Sequence, residues 1–358
     1  MTNKRIKTKT TRLLFLDMLK FLSITYIFVY HFIRDIGELH QMIDLSDITN
    51  LFVKPNFNLG LIATTLFVII SGSSLAISHD KKNDLKLNFK SILSFYKNRA
   101  IRILIPYYVV YVAFYIYLAL YNHVLKIFTN LSPIDYIWNI FAMDGYASIY
   151  GFNTAYLNVG EWFMGCIVIC YLLFPILYYF NKKYKYITYV LMTIYIIITL
   201  SINKFTPNFN LSAFYQIYNF YMGIFLSDFI YIDKIDFKYH ILFIIGIIIS
   251  YISSPMSAYV LFINTYICVF IYIIFYHLEK YLQINNIKAF LTYFSIISYE
   301  FFLVHHFVIS QANFIINKTQ VFGKEAIHIF VTDLLWVLSL SILFHIISTK
   351  IIKLIIKK

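Results

Sequence analysis

Three polar side chains stand where apolar surroundings make them costly. Asp17, Lys20 and His31 lie within or at the edges of the apolar run from Leu13 to Ile33. A charge at mid-bilayer costs about 2.5 to 3.5 kcal/mol on insertion scales. Lys20 and His31 are 11 positions apart, which in a helix leaves them about 20° apart around the axis and about 16 Å apart along it. Two readings stand. In one, Asp17 and Lys20 pair at i,i+3, Lys20 reaches toward the headgroups and His31 is interfacial. In the other, one helix face carries a polar track across the bilayer, with His31 at its outer end as a general base, because imidazole titrates near neutral pH.

Arg99 and Arg102 are two cations at i,i+3 ahead of Pro106. They serve either as topological anchors or as a fork for phosphates, which guanidinium binds in bidentate fashion. Glu161 and Trp162 open an apolar run at the level expected for His31, where a carboxylate either orients the imidazole or simply faces the interface. His305 and His306 follow Ser298, Tyr299 and Glu300, and buried polar groups of this kind are expected to hold helices together. Cys166, Cys170 and Cys268 fall in apolar runs without CxxC or His/Cys spacing, so neither a disulfide nor a metal is expected.

The elements that position these residues follow from composition. Of 358 residues, 60% are hydrophobic and 13% charged, which excludes an ordinary water-soluble domain. Runs long enough to cross about 30 Å of hydrocarbon recur along the whole chain. The expectation is an all-α polytopic membrane protein, residues 1–358 forming one membrane domain of about ten helices. These run roughly over 13–33, 59–78, 103–121, 159–180, 187–202, 212–231, 239–253, 258–276, 291–316 and 329–349. Only Ser253, Ser254 and Pro255 interrupt the stretch from Tyr239 to Phe275, so one tilted helix there is the alternative. With ten helices, 23 of the 30 basic residues fall on the side of the N-terminus, six on the other and Lys20 inside a helix, which places both termini in the cytoplasm. The net charge of +13 then reflects this bias and attraction to anionic membrane lipids, and no nucleic-acid partner is expected. The long connection from Asn122 to Asn158 is expected outside, where it either caps a site or re-enters the membrane.

In order and spacing, these segments resemble the bacterial acyltransferase-3 family of integral membrane acyltransferases over nearly the whole chain. Phe15 to His31 is similar to its Leu-Asp-x-Leu-Arg segment with a following membrane His. Phe67 to Gly72 is similar to its Ser-Gly element, and Phe95 to Pro106 to its Arg-x-x-Arg segment. Trp162, Tyr171 and Pro175 match its central helix, Tyr218 to Gly223 its Phe-x-x-Gly element, and Ser298 to His305 its closing Ser-Tyr-x-x-Tyr-Leu-x-His. Two departures stand out: Lys20 replaces the usual Arg, and Ile167 stands where many members carry Glu.

The resemblance implies transfer of an acyl group, most often acetyl from acetyl-CoA, to a glycan hydroxyl at the outer face of a bacterial cytoplasmic membrane. On that reading His31 and Glu161 are catalytic, and Arg99, Arg102 and Lys20 hold the acyl-CoA. Trp162 and Asp17 contact substrate. The rival from another class is a glycan exporter, since polar residues inside helices also mark transport pathways.

Overall fold

The computed structural model describes residues 12–37, 59–82, 88–120, 131–203, 208–230, 259–315 and 324–356, and among these it is helical, with no strand. The expected helix over 239–253 and the Ser253 to Pro255 break lie outside the described residues. The long helices are α1 (Leu14–Phe32), α2 (Leu59–Lys82) and α3 (Phe89–Leu120). Two short ones follow, α4 (Ile137–Ile140) and α5 (Asp144–Ser148). Then come α6 (Glu161–Lys183), α7 (Lys185–Asn203), α8 (Ala213–Ser227), α9 (Tyr259–Leu278), α10 (Asn285–Ile315) and α11 (Lys324–Ile356).

Seven stretches among the described residues are long and apolar enough to cross a membrane, the longest being Glu161–Ile202, which joins α6 and α7. Their outer surfaces are apolar. On α7, Ile187, Leu191, Ile194 and Ile198 are exposed, and on α11 so are Leu335, Trp336, Leu343 and Ile346. Apolar faces this extensive on a soluble protein would aggregate, whereas hydrocarbon accepts them.

Among the described residues the interior has two hydrophobic clusters. Phe28, Phe114, Phe163, Phe307 and Val337 join α1, α3, α6, α10 and α11. Phe15, Ile69, Tyr218 and Tyr272 join α1, α2, α8 and α9. With no hydrophobic drive between helices in lipid, close backbone packing and interhelical hydrogen bonds hold them together. The glycines of two sequence motifs supply the first: a Cβ on Gly72 would lie 2.1 Å from the Phe220 carbonyl oxygen, and one on Gly223 would lie 1.9 Å from that of Ile69. Asn264 supplies the second, donating to Thr65 Oγ1 and to the Tyr215 hydroxyl, both at 2.9 Å.

Helices α8 and α9 run parallel. Near their starts the Tyr215 hydroxyl donates to Leu261 O at 2.9 Å, and near their ends the Tyr276 hydroxyl donates to Ile230 O at 3.2 Å. Among the described residues helix α9 runs from Tyr259 to Leu278, and the alternative of one tilted helix from Tyr239 falls on residues outside the described ones.

The α5 side of the bundle carries a folded cap. In residues 131–160, Asn139 Nδ2 donates to Ala155 O at 3.1 Å, and the Tyr111 hydroxyl of α3 donates to the same carbonyl at 2.7 Å. Asn158 Nδ2 donates to Ser310 Oγ of α10 at 3.2 Å. The cap thereby fixes the position at which α6 begins.

Candidate functional site

Three helices converge on His31. Helix α1 continues past Phe32 into a π-helical turn, Ile33–Gly37, a widening that often marks functional sites. That turn carries Asp35, whose Oδ2 is 3.9 Å from His31 Nδ1 and 3.0 Å from His306 Nε2 on α10. Arg34 Nε donates to Asp35 Oδ1 at 2.5 Å, and Asn313 Nδ2 donates to the Asp35 carbonyl at 2.8 Å.

Glu161 comes from α6 under backbone tension. Asn158, Gly160 and Glu161 have φ of 56°, 70° and 47°, the left-handed region that a non-glycine residue occupies only when its surroundings impose it, at a cost of order 1 to 3 kcal/mol. This twist turns the Glu161 carboxylate inward. Its Oε2 is 3.3 Å from His31 Nε2 and its Oε1 is 2.6 Å from His306 Nδ1. Although close, the His306 Nδ1 and Glu161 Oε1 atoms are not aligned as a hydrogen bond; charge attraction describes that contact better. His31 and Glu161 are both 6% exposed, so water screens these interactions poorly.

The geometry assigns His31 a proton position. A carboxylate accepts, so Nε2 facing Glu161 carries the hydrogen, and in the neutral imidazole the lone pair then sits on Nδ1, which has no hydrogen-bond partner among the described residues. His305 is fixed in the opposite sense: its Nδ1 donates to the Phe302 carbonyl at 2.7 Å, leaving a lone pair on Nε2, also without partner among the described residues.

The cap supplies Asp144, buried and accepting from the Tyr107 hydroxyl at 2.7 Å. Burial raises its carboxyl to about 7, against the opposing effect of the Tyr107 hydrogen bond. Tyr156, on the same segment, is pushed well above the ordinary phenol range first by burial and then by the charges of Glu161 and Asp144, and stays a neutral donor.

A second group lies about 15 Å from Glu161, ten residues further along α6 at Tyr171. There the Arg99 guanidinium sits over the Tyr171 ring at 5.6 Å and the Phe95 ring at 5.9 Å. Arg99 is half-buried and Arg102 exposed, so the two do not share one environment as their i,i+3 spacing suggests. One turn along α3, the Ile103 carbonyl accepts from the buried Tyr299 hydroxyl of α10 at 2.9 Å.

Other sequence expectations are corrected. Asp17 is buried, but its ion pair is with Arg12, through Arg12 Nε and, at 3.2 Å, Nη2, not with Lys20. It lies near the start of α1, remote from the His31 cluster. Lys20 is half-buried on α1. Trp162, next to Glu161, is half-buried against Phe163. Most consequentially, His305 and His306, expected to hold helices together, lie beside His31, their ring centroids 5.3 and 5.0 Å from its own. Sequence reading also missed Asp35, although its i,i+4 spacing from His31 places both on one helix face.

The acyltransferase-3 family model, described as an acyltransferase domain, matches residues 13–352, nearly the entire chain. Neither a curated protein nor a solved structure matches.

Proposed function

Because the chain belongs to the acyltransferase-3 family, we propose that this membrane acyltransferase moves an acyl group, acetyl foremost, from cytoplasmic acyl-CoA to a hydroxyl of a cell-surface or lipid-linked glycan. The observation that carries this reading is the buried His31 and Glu161 pair, 3.3 Å apart, with an imidazole lone pair left over on Nδ1.

In this mechanism the acceptor hydroxyl gives its proton to His31 Nδ1 as its oxygen attacks the thioester carbonyl. The carbon–sulfur bond then breaks, and the coenzyme A thiolate leaves, taking up the proton from the imidazolium. Glu161 stabilises the positive charge that His31 acquires, and His306, between Glu161 and Asp35, keeps two carboxylates tolerable in one dry pocket. General-base assistance of this kind is worth about 10² to 10⁴ in rate.

The donor approaches from the Arg99 end. Guanidinium at Arg99 recognises the phosphates, and the separation of about 15 Å along α6 is of the order that a pantetheine arm spans. The arrangement of helices behind this reading is a bundle of ten in a bacterial cytoplasmic membrane with both termini inside. The parallel course of α8 and α9 agrees with a crossing between them.

The test is NMR of surface glycan from a deletion strain and from the strain complemented with wild-type or His31→Ala protein. O-acyl signals should disappear on deletion and return only with the wild type. Loss of the glycan itself from the surface, with acylation intact on what remains, would point to export instead.

A further inference from the structure

We propose that His31, Glu161 and His305 form a binding site for a divalent transition-metal ion of the zinc type. Each offers a ligand atom, and the three atoms lie within 4.8 Å of one another. Two imidazoles and one carboxylate with a fourth position open is a donor set that zinc favours. The 3.3 Å from His31 Nε2 to Glu161 Oε2 is close to the edge of a tetrahedron built on bonds of about 2.0 to 2.1 Å.

The independent sign is His305. It is 1% exposed, its Nδ1 is committed to the Phe302 carbonyl, and its Nε2 lone pair is buried with no donor to meet it among the described residues. Burying such an acceptor unpaired is unfavourable, and a bound cation would offset that cost.

The outer partners that orient metal ligands are also in place. Metal-binding imidazoles turn their second nitrogen to a carbonyl or carboxylate. For His305 that group is Phe302 O, already hydrogen-bonded; for His31 the facing carboxylate is Asp35, whose 3.9 Å from Nδ1 must shorten for the bond to form. The free oxygen of Glu161, Oε1, faces His306. The alternative trio of His31, Asp35 and His306 is less suitable, because Asp35 already accepts from Arg34 and His306. No local ligand spacing exists, since the donors come from α1, α6 and α10, which is why sequence periodicity gives no sign of the site.

Binding has a chemical consequence. An ion at His31 Nε2 takes that nitrogen's lone pair, so the single hydrogen of the neutral imidazole shifts from Nε2 to Nδ1, on the side of Asp35. The lone pair that accepts the hydroxyl proton is then gone, and the metal inhibits transfer. This consequence rests on the reading of His31 as the base; the site itself does not.

The experiment titrates purified, chelator-treated protein in detergent with Zn²⁺ by calorimetry and with Co²⁺ by visible absorption. One equivalent should bind, with the strong absorption of tetrahedral cobalt. His305→Gln and Glu161→Gln should each weaken binding at least tenfold, and His306→Gln about 10- to 100-fold through Glu161. His345→Gln, which alters a separate pair of the half-buried His345 with the buried Glu300, should bind as wild type and shows that the loss is local. Absence of stoichiometric binding, or a His305→Gln protein that binds normally, would overturn the site. Acyl transfer measured alongside separates the two readings: metal bound with transfer uninhibited removes the competition, whereas transfer that depends on His31 without metal binding removes the site and leaves the catalytic reading intact.

Discussion

Gly145 abuts the backbone of Glu161 so closely that a Cβ added to it would lie 2.6 Å from the Glu161 carbonyl carbon and oxygen. The contact is with backbone, which cannot swing away as a side chain can. Through it the cap holds the strained start of α6, and the Glu161 carboxylate with it. Gly145→Ala should therefore push Glu161 out of reach of His31. Transfer should fall by tenfold or more while the protein still inserts and purifies normally, because a misplacement of about 1 Å costs on the order of 10² in rate. Wild-type turnover from that variant would mean that the cap does not set the site.

Substitutions at the cluster itself should be graded. His31→Ala and His31→Gln should lose about 10² to 10⁴ of the rate, since glutamine keeps hydrogen bonding but not basicity. Glu161→Gln should lose less at saturating substrate, because it removes charge stabilisation and leaves the base. Single-turnover acyl transfer in detergent, normalised to protein amount, reads these values. Equal activity of His31→Gln and wild type would exclude His31 as the base.

The two arginines should part company. Arg99 stacks on Tyr171 and Phe95, a geometry that lysine does not reproduce, whereas Arg102 is exposed. Arg99→Ala should weaken acyl-CoA binding strongly and Arg99→Lys in part. Arg102→Ala should cost no more than an exposed ion pair, within about 1 kcal/mol or roughly fivefold. Calorimetric titration with a non-hydrolysable acyl-CoA analogue measures all three. A larger loss at Arg102 than at Arg99 would place the phosphates on the exposed residue.

How far these positions were legible from sequence depends on whether the signal is local. The all-helical character and the long apolar helices among the described residues were, because hydrophobic runs of membrane length need no tertiary context. His31 and Glu161 stood out as polar residues in apolar runs at comparable levels. Asp35 carried a local signal too, four residues after His31, but it lies beyond the apolar stretch and within a π-helical turn that periodicity does not anticipate. His306 could not be placed in the site by spacing, since its partners are on helices far away in the chain; a doubled histidine reads equally well as packing. Asp17 was misassigned to Lys20 because i,i+3 geometry permits the pair, while Arg12, just before the helix, competes for the same carboxylate and wins.

Asp144 gives a prediction in pH. Its carboxyl is raised from 3.8 to about 7, chiefly by burial, so between these values the folded protein keeps a proton that the unfolded chain has released. The folded state binds more protons, and stability must fall as pH rises through that interval. The contribution is fully present below about pH 4, is lost as pH climbs through about 7 and changes no further above it. Asp144→Asn keeps an oxygen that accepts from Tyr107 and has no proton to lose, so its stability should lack this slope. Thermal unfolding in detergent at about pH 5 and about pH 8 tests it: wild type should lose ground against Asp144→Asn on going to the higher pH. A constant difference between the two proteins would show that Asp144 does not change protonation on unfolding in this range. Because the adjacent Gly145 presses on Glu161, the same loss of cap stability above neutral pH should lower transfer by the wild type more than by Asp144→Asn.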